Sequence, residues 1–385
     1  MLNYPFNYPK IEARFVRRIN RFVLLVDIDG REEEAYLANP GRLWELLLPG
    51  ARLLLAPSAS KGKLPYTVLA CLKGDIPVLL HTHLTNKVVR RLIDENRLDS
   101  FMDYRVIKEE PACGKHRFDL LLQHLDDGST LYLEIKSCTL FAGKVAMFPD
   151  AVTSRGKEHL LKLGELAGQG IKTGCLFVIM NPGAEYFLPA YHIDPDFAHA
   201  FMHISGSVGL QAIAIGFDHT FTAVQSIKEL SIPFPLARAE LQDRGVYLLI
   251  LAIDEDRLVT VGKMGELQLK AGYYVYAGSA MKNLSKRIAR HRRKQKKSRW
   301  HIDYLTALAA SVTAVPILTA DRLECELAGS VRAIAAEAVA GFGSSDCRCP
   351  GHLFFFSNNP LNNPRFIDLI QYCRIARLED QLDLL

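Results

Sequence analysis

The stretch "LYLEIKSCTL", residues 131–140, has the two-residue period of a β-strand. Its apolar positions alternate with Tyr132, Glu134 and Lys136. Because successive side chains of a strand point to opposite faces, the pattern predicts a half-buried strand with Glu134 and Lys136 on its exposed face. The strand is then either an ordinary solvated face or one half of a metal-dependent active site.

The preceding residues predict that this strand is one arm of a hairpin. "HRFDLLLQHL" and "TLYLEIKS" flank "DDGS", which is a typical turn signal. A turn centred on "DDGS" places Asp119 opposite Lys136 and Glu134 opposite Leu121. Asp119, Glu134 and Lys136 are then expected on one face of the hairpin. The other face is expected to carry Phe118, Leu133 and Ile135.

These three polar side chains suit phosphodiester hydrolysis. Asp119 and Glu134 are predicted to lie close enough to hold one hard divalent ion, Mg²⁺ or Mn²⁺, through oxygen ligands. Lys136 beside them would position or deprotonate the attacking water, while the ion neutralises charge. The alternative is a cross-strand charge pair with no chemical role, which exposed strands often carry.

The elements around the hairpin indicate two folded regions. Residues 12–80 are predicted to be short strands broken by turns, with a hairpin at Asp29-Gly30, and an OB-like barrel is one candidate. From residue 86 the periodicity predicts a helix, three strands, a helix starting in "TSRGKEHLL", and the apolar strand "GCLFVIM".

Composition limits the class of protein. The chain has 385 residues, a net charge of +5 and 49% hydrophobic residues, which is typical of a multidomain globular protein. It has no long apolar run for a membrane span and no secretory signal pattern at the N-terminus. The lack of such a run predicts that a membrane is not a partner. The eight cysteines are scattered and form no dense disulfide framework, so the favoured location is the reducing cytoplasm.

The order of elements and residues resembles the restriction-endonuclease-like fold with its PD-(D/E)XK motif. Asp119 matches the aspartate of that motif and "EIK" (134–136) matches E-x-K. Glu109 or Glu110 matches the additional acid that some members carry.

A set of separated motifs resembles the sugar fermentation stimulation protein family over about residues 10–222. The resemblance implies an N-terminal OB-fold, a PD-(D/E)XK nuclease-like domain and nucleic-acid binding. The motifs are "NPGRLWELLLPG" (39–50), "LHTHLTNKVV" (80–89), "GKHRFDLLL" (114–122), "YLEIKSCTL" (132–140) and "FPDAVTSRGKEHL" (148–160).

The same resemblance places Asp150, Arg155 and His159 near the site. Arg155 is a candidate phosphate contact, since its planar fork suits a phosphate, and His159 is a candidate nucleic-acid contact. Arg42 in "NPGR" is a candidate contact to the nucleic-acid backbone. The alternatives are a loop charge for Asp150, a helix-start cation for Arg155 and a helix-face imidazole for His159. For Arg42 the alternative is an ordinary surface arginine.

The C-terminal half contains a strongly basic segment. "KNLSKRIARHRRKQKKSRW" (282–300) has ten lysines and arginines and no acid, and it is predicted to be helical. Such a patch would neutralise phosphates in salt-sensitive nucleic-acid binding, although it could also be a solvated cationic face. The candidate binding residues are Lys286, Arg290, His291, and Arg293 or Lys294.

The residues around this segment, about 240–376, resemble the GIY-YIG nuclease superfamily. Tyr247 lies in the matching GIY half and Tyr276 in the YIG half, and Arg287 matches the arginine of the following helix. Glu326 is the candidate metal-binding glutamate, with Glu324 as a near alternative. The resemblance implies that the tyrosines activate water and the arginine stabilises phosphate charge. Core packing of the two tyrosines is the alternative.

"CRCPGH" offers Cys347, Cys349 and His352 as soft zinc ligands, with Cys325 as a distant fourth. The C-x-C-x2-H spacing lacks a second close pair of ligands, and it favours packed thiols over zinc.

Together these features predict an α+β multidomain protein. It has an OB-like barrel (1–85), a restriction-endonuclease-like α/β domain (86–223), a linker (224–243), a GIY-YIG-like α/β domain (244–376) and a tail (377–385). The predicted function is a nuclease that depends on Mg²⁺ or Mn²⁺ and acts on DNA or RNA. The alternative is a non-catalytic DNA-binding regulator of sugar metabolism genes.

Overall fold

The computed structural model describes residues 9–58 and 64–383 and divides into two compact units. The first unit extends to Ala237 and includes the chain from Ile375 onward, and the second unit is Arg238–Arg374. Within the described ranges, no helix has the length and apolar character needed to cross a membrane.

The first unit begins with a closed β-barrel. Its strands follow one another as antiparallel neighbours, and the parallel pairing of β3 with β5 closes five of them into a ring. The predicted hairpin at Asp29-Gly30 is confirmed, and both residues have the positive φ that a tight hairpin turn requires. The strands are β1 (Ile11–Asn20), β2 (Val23–Ile28), β3 (Arg31–Leu37), β4 (Arg52–Pro57), β5 (Tyr66–Lys73) and β6 (Ile76–Leu79).

The rest of the first unit mixes helices with two sheets and a two-stranded ribbon. Its elements are α1 (Thr82–Asp94), β7 (Tyr104–Glu109), β8 (Ala112–Cys113), β9 (His116–Arg117), β10 (Leu120–His124), β11 (Thr130–Cys138), β12 (Leu140–Ala142), β13 (Val145–Phe148), α2 (Ser154–Gly168), β14 (Lys172–Ile179), β15 (Tyr186–Pro189), α3 (Pro195–Ile204), β16 (Gly209–Phe217) and β17 (Val224–Glu229). The predicted order of helix, three strands, helix and strand is confirmed by α1, β7, β10, β11, α2 and β14.

The opening stretch, β11, lies inside the larger sheet, whose strand order is β17-β16-β14-β11-β10-β7. It pairs antiparallel with β10 and parallel with β14, while α1 packs against β7 and β11 and α2 packs against β14. The prediction that Glu134 lies on an exposed face is therefore wrong. Glu134 is buried on one side of the strand, and Leu133 and Ile135 are buried on the other.

The segments expected to be a linker and a tail both carry regular structure. β17 extends the larger sheet, and α4 (Phe234–Glu240) follows it. At the other end of the chain, α9 (Glu379–Leu382) belongs to the first unit. The linker is therefore not an irregular connection, and the domain limits themselves stay a prediction.

The second unit is built on an antiparallel sheet of order β22-β18-β21-β24-β23. Strand β18 pairs with β21 and β22, and β19 pairs with β20 in a separate two-stranded ribbon. The elements are β18 (Gly245–Ile253), β19 (Arg257–Thr260), β20 (Glu266–Leu269), β21 (Gly272–Ala280), α5 (Leu284–Arg292), α6 (His301–Leu308), β22 (Ser311–Leu318), α7 (Glu324–Arg332), β23 (Glu337–Val339), β24 (Leu353–Phe356) and α8 (Pro364–Arg374).

Candidate active sites

The hairpin of β10 and β11 has a register two residues away from the predicted one. Leu120 pairs with Leu133 and Leu121 pairs with Tyr132, so Asp119 continues toward Glu134 and not toward Lys136. Asp119 lies just before β10, outside the regular strand, so the alternation of β10 does not determine where its side chain points. The sequence predicts Phe118 on the face opposite Glu134. Its ring instead lies 5.9 Å from the ring of His159, which hydrogen-bonds to Glu134, so Phe118 is on the same side as Glu134.

The Asp119 carboxylate is held by two donors. The backbone N–H of Ile135 donates to Oδ2 and Asn86 Nδ2 donates to Oδ1, both at 2.6 Å. Asn86 lies on α1, which packs against β11. The sequence reasoning missed Asn86, although it lies inside the "LHTHLTNKVV" motif. Asn86 and Asp119 are 33 positions apart in the sequence, and periodicity alone does not show that a helical residue contacts a residue so distant.

The Glu134 carboxylate is buried, with 3% of the residue exposed. Its Oε1 accepts from Lys136 Nζ at 2.5 Å and from His159 Nδ1 at 2.6 Å. Its Oε2 is also buried and has no hydrogen-bond partner among the residues that the structure describes. Oε1 of Glu134 is thus neutralised by Lys136 and His159, whereas Oε2 is left without a donor among the described residues.

Burial and the nearby charge of Glu134 raise the pKa of Asp119 to about 6. Burial also acts on Glu134, but the Lys136 charge and the His159 hydrogen bond outweigh it and hold the pKa of Glu134 below its ordinary value. Two carboxylates with pKa values pushed in opposite directions are a feature of functional sites.

Of three other predicted residues, Arg155 connects to this site, whereas Asp150 and Arg42 lie at the barrel. Arg155 Nε donates to His159 Nε2 at 3.4 Å, so these two side chains form a chain that ends on Glu134. Asp150 instead faces the barrel, where Leu43 N donates to its Oδ2 at 3.1 Å. Burial raises the pKa of Asp150, against the opposing charge of Arg42. The Arg42 guanidinium lies 5.1 Å from the ring centre of Trp44.

The second unit contains a separate candidate site, a cavity of about 320 Å³. β18 and β21 bring its two tyrosines together, because Tyr247 pairs with Gly278 and the ring centres of Tyr247 and Tyr276 are 6.3 Å apart. Arg287, from α5, also lines the cavity, and its Nη1 donates to Ser279 O at 2.7 Å. The predicted grouping of Tyr247, Tyr276 and Arg287 is present.

A buried relay lies behind Tyr247. The Tyr247 hydroxyl is 3.0 Å from His291 Nε2, and His291 Nδ1 is 3.3 Å from Asp303 Oδ1. Burial lowers the pKa of His291 to about 4 despite Asp303, so the imidazole is neutral at pH 7. Nδ1 makes no hydrogen bond of good geometry within the described residues, and with the imidazole proton there Nε2 accepts from Tyr247. The sequence singled out His291 for nucleic-acid contact, but the structure gives it this buried position.

The glutamate in the cavity is Glu324, and Glu326 is exposed on the same helix, α7. Ser279 Oγ donates a short hydrogen bond to Glu324 Oε2, and His352 Nδ1 lies 3.3 Å from Oε1. Burial would raise the pKa of Glu324, but His352 and Ser279 hold it below its ordinary value. Glu324, the alternative to Glu326 in the sequence prediction, is therefore the glutamate that lines the cavity. The two glutamates are two residues apart and therefore lie on opposite sides of α7, and the spacing of the motif alone did not choose between them.

The basic segment is less helical than predicted. α5 ends at Arg292, so Arg293 and Lys294 do not continue the helical stripe of Lys286. Lys286, Arg293 and Lys294 are exposed. Arg290 instead donates to Asp303 at 3.0 Å and lies over the Trp300 ring, so it supports the relay.

Four soft ligands meet beside this cavity. The side-chain donor atoms of Cys325, Cys347, Cys349 and His352 all lie within 4.8 Å of one another. The four side chains could hold a zinc ion. Cys325 is close to the other three because α7 starts next to the loop that precedes β24, which the spacing did not indicate.

Two family models match consecutive ranges of the first unit. Residues 16–80 match the SfsA N-terminal OB domain and residues 83–222 match the sugar fermentation stimulation protein RE domain. A "sugar fermentation stimulation protein homolog" of Pyrobaculum arsenaticum is 38% identical over 213 residues, which are 55% of this chain and 90% of the relative. The chain belongs to the sugar fermentation stimulation protein family.

Two further members of the family agree. A homolog from Clostridium botulinum is 34% identical over 53% of this chain and 88% of the relative. The solved structure of Pyrococcus furiosus SfsA in complex with Ca²⁺ is 30% identical, with a TM-score of 0.54, over 58% of this chain and 96% of that chain. The predicted OB-fold and restriction-endonuclease-like domain are thereby confirmed.

Residues 246–374 match a further model, described as a domain of unknown function, DUF123. This match covers most of the second unit, which the structure shows to be an α/β domain. The family members above cover little more than half of the chain, so this second domain is joined to a complete family module.

Proposed function

We propose that this protein is a metal-dependent phosphodiesterase acting on nucleic acid, with one active site at Asp119 and Glu134. The observation that carries the proposal is the pair of carboxylates beside Lys136 on the restriction-endonuclease-like sheet, with Glu134 buried and Asp119 half-buried. Two acids and a lysine have no packing role that apolar side chains could not fill, and burying them costs free energy.

The donor set fits a hard divalent ion, Mg²⁺ or Mn²⁺. Within the described residues, Glu134 Oε2 is buried without a donor, because Lys136 and His159 both bond to Oε1. Asp119 beside it has a pKa raised to about 6, so this side of the pair can accept a cation. Asp119 and Glu134 would hold the ion, which when bound would supply charge neutralisation and Lewis acidity. The Ca²⁺ complex of the Pyrococcus furiosus relative supports a divalent ion in this family.

The remaining residues of the first site have separate roles in this proposal. Lys136 Nζ, fixed on Glu134, orients the attacking water. His159 holds Glu134 in place from α2, and Asn86 does the same for Asp119 from α1. Arg155, exposed at the start of α2, is positioned to contact a phosphate of the nucleic acid.

The second unit supports a further candidate function, a GIY-YIG-like phosphodiesterase. The cavity is lined by Tyr247, Tyr276, Arg287 and Glu324, which are the tyrosines, arginine and glutamate that the resemblance to that superfamily implies. Burial raises the pKa of Tyr247, so its hydroxyl stays neutral and donates to neutral His291. The Tyr247 oxygen is then free to accept a hydrogen bond from the attacking water and to orient it. Arg287 stabilises phosphate charge, and Glu324 would hold a divalent ion that neutralises it.

Nucleic acid is the proposed partner of both sites. Lys286, Arg293 and Lys294 are exposed and would contact phosphates beside the second cavity. A regulator that binds without cutting is the competing function, and it predicts binding that needs no metal.

Cleavage of labelled single- and double-stranded DNA and RNA tests the proposal, with Mg²⁺, Mn²⁺ or EDTA. Wild type is expected to cut only with the metal, and Glu134→Ala is expected to lose the activity of the first site. Glu158→Ala, an exposed glutamate of α2, is the control and should cut normally. Tight, salt-sensitive binding without any cleavage would overturn the nuclease in favour of the regulator.

A matched pair tests the second cavity. Glu324→Ala should lose the activity of the second unit, whereas Glu326→Ala, on the exposed side of the same helix, should retain it. The reverse result would remove Glu324 from the site.

A further inference from the structure

The cluster of Cys325, Cys347, Cys349 and His352 has the dimensions of a closed tetrahedral zinc site. Cys347 Sγ lies 3.5 Å from His352 Nε2, and all four donor atoms lie within 4.8 Å of one another. Zinc bonds of about 2.3 Å to sulfur and about 2.0 Å to nitrogen place neighbouring ligands about 3.5–3.8 Å apart in a tetrahedron. The four atoms therefore need only small movements to bind one ion.

The surroundings of the cluster favour a metal over packed thiols. Cys325 is exposed, and Cys347 and Cys349 are half-buried, whereas Cys138 and Cys175 lie in the apolar core. A disulfide would use two of the three cysteines and would leave a third thiol and an imidazole unused. A single zinc ion uses all four donors.

The outer side of the histidine supports the same conclusion. His352 Nε2 faces the thiol of Cys347, and Nδ1 lies 3.3 Å from Glu324 Oε1. Histidines that bind zinc through one nitrogen usually donate the other N–H to a carboxylate, which fixes the ring. His352 Nδ1 makes no hydrogen bond within the described residues, so a small rotation of the ring would let it donate to Glu324, whose side chain also lines the cavity.

We propose that these three cysteines and His352 bind a structural Zn²⁺ ion that positions Glu324 in the neighbouring cavity. Four protein ligands leave no open coordination position, which is typical of a structural ion. The ion would join the start of α7 to the loop before β24, and that loop also brings Ser345 and Asp346 to the cavity wall. The proposal holds whether or not the second unit cuts nucleic acid.

The first test measures metal content in the full-length chain. Purified wild type is expected to retain about one zinc per chain after gel filtration under reducing conditions. Cys349→Ser should lose it, while Cys113→Ser, a half-buried cysteine of the first unit, should keep it. Equal zinc in wild type and in both Cys347→Ser and Cys349→Ser would overturn the site.

Cobalt substitution in the wild-type chain protects the test against variants that fail to fold. Co²⁺ added to zinc-depleted wild type should give the visible bands of tetrahedral cobalt and thiolate-to-cobalt charge transfer in the near ultraviolet. Zinc should displace these bands. Absence of both metal content and charge transfer in folded wild type would mean that the cysteines are only packed thiols.

A second variant tests the connection to Glu324. Loss of an outer carboxylate typically weakens a metal site about 10–100-fold, so Glu324→Gln should weaken zinc binding by that factor in competition with a chromophoric chelator. Asp346→Asn, in the same cavity, is the control and should bind zinc as wild type does. Unchanged affinity in Glu324→Gln would remove the positioning role.

Discussion

Glu134 in the first unit and Glu324 in the second use the same side chain in opposite surroundings. Glu134 is buried and receives two donors on one oxygen, including Lys136 from its own strand. Glu324 keeps 29% of its side chain exposed in an open cavity, and its partners come from β21 and from the loop before β24. A carboxylate whose partner lies on the same strand, such as Glu134 with Lys136, can be recognised from a local sequence motif. A carboxylate whose partners are distant in sequence, such as Glu324, cannot be recognised in that way.

The largest expected difference between the two sites is in stability. Lys136→Met would leave the buried charge of Glu134 with one donor fewer, and breaking a buried ion pair costs about 3–5 kcal/mol. Scanning calorimetry of the full chain should show the transition of the first unit at a markedly lower temperature. Lys157→Met breaks an exposed ion pair with Asp196 on the same unit and should leave the transition unchanged. An equally stable Lys136→Met would contradict the buried pair.

The pH dependence of the first site comes next in size. The folded pKa of Asp119 is about 6 and its ordinary value is 3.8, so the folded state retains a proton that the unfolded state loses. As pH rises from about 4 to 6, Asp119 therefore lowers the free energy of unfolding, by about 2–3 kcal/mol in total. The contribution of Glu134 has the opposite sign, and is lost as pH falls below its ordinary pKa.

Comparison of wild type with Asp119→Asn isolates this effect. The variant should become more stable relative to wild type as pH rises through this window. Mn²⁺ should remove the difference by favouring the ionised Asp119 of wild type. A constant difference between pH 4 and 6 would rule out the raised pKa.

A smaller effect is expected from packing in the second cavity. A Cβ on Gly278 would come within 2.6 Å of the Tyr247 ring and 2.9 Å of the Tyr276 ring, so both rings would have to move. Gly278→Ala should destabilise the second unit by about 1–3 kcal/mol, and tyrosine fluorescence should change with it. Gly329→Ala, on α7 with open space around its Cα, should be neutral or slightly stabilising. Equal behaviour of the two variants would contradict the tyrosine arrangement.

The part of this comparison that the sequence predicts is the part set by local spacing. The alternation of β11, the turn before it and the apolar run of β14 predict the sheet, and separated motifs predict the family. The predicted register of Asp119 is wrong because the centre of the turn lies one residue earlier than predicted. A shift of one residue at the turn changes the pairing across the hairpin by two residues. Asn86, His291 and Glu324 depend on packing between elements distant in sequence, which periodicity does not report.

The smallest expected effect concerns binding by the basic residues of the second unit. If Lys286 contacts one phosphate, Lys286→Ala should weaken binding alike for all nucleic-acid sequences and should reduce the salt slope of log K by about 1. Fluorescence anisotropy at several salt concentrations measures this slope. Lys228→Ala, an exposed lysine of the first unit paired with Glu185, is the control. An unchanged slope for Lys286→Ala would remove that phosphate contact.

Each unit is proposed to carry its own metal-dependent site. Cleavage by Glu134→Ala, Glu324→Ala and the double variant, across the same DNA and RNA substrates, separates the two sites. Each single variant should lose one activity and keep the other, and the double variant should cut nothing. Full cleavage by the double variant, or loss of every activity in one single variant, would contradict two independent sites.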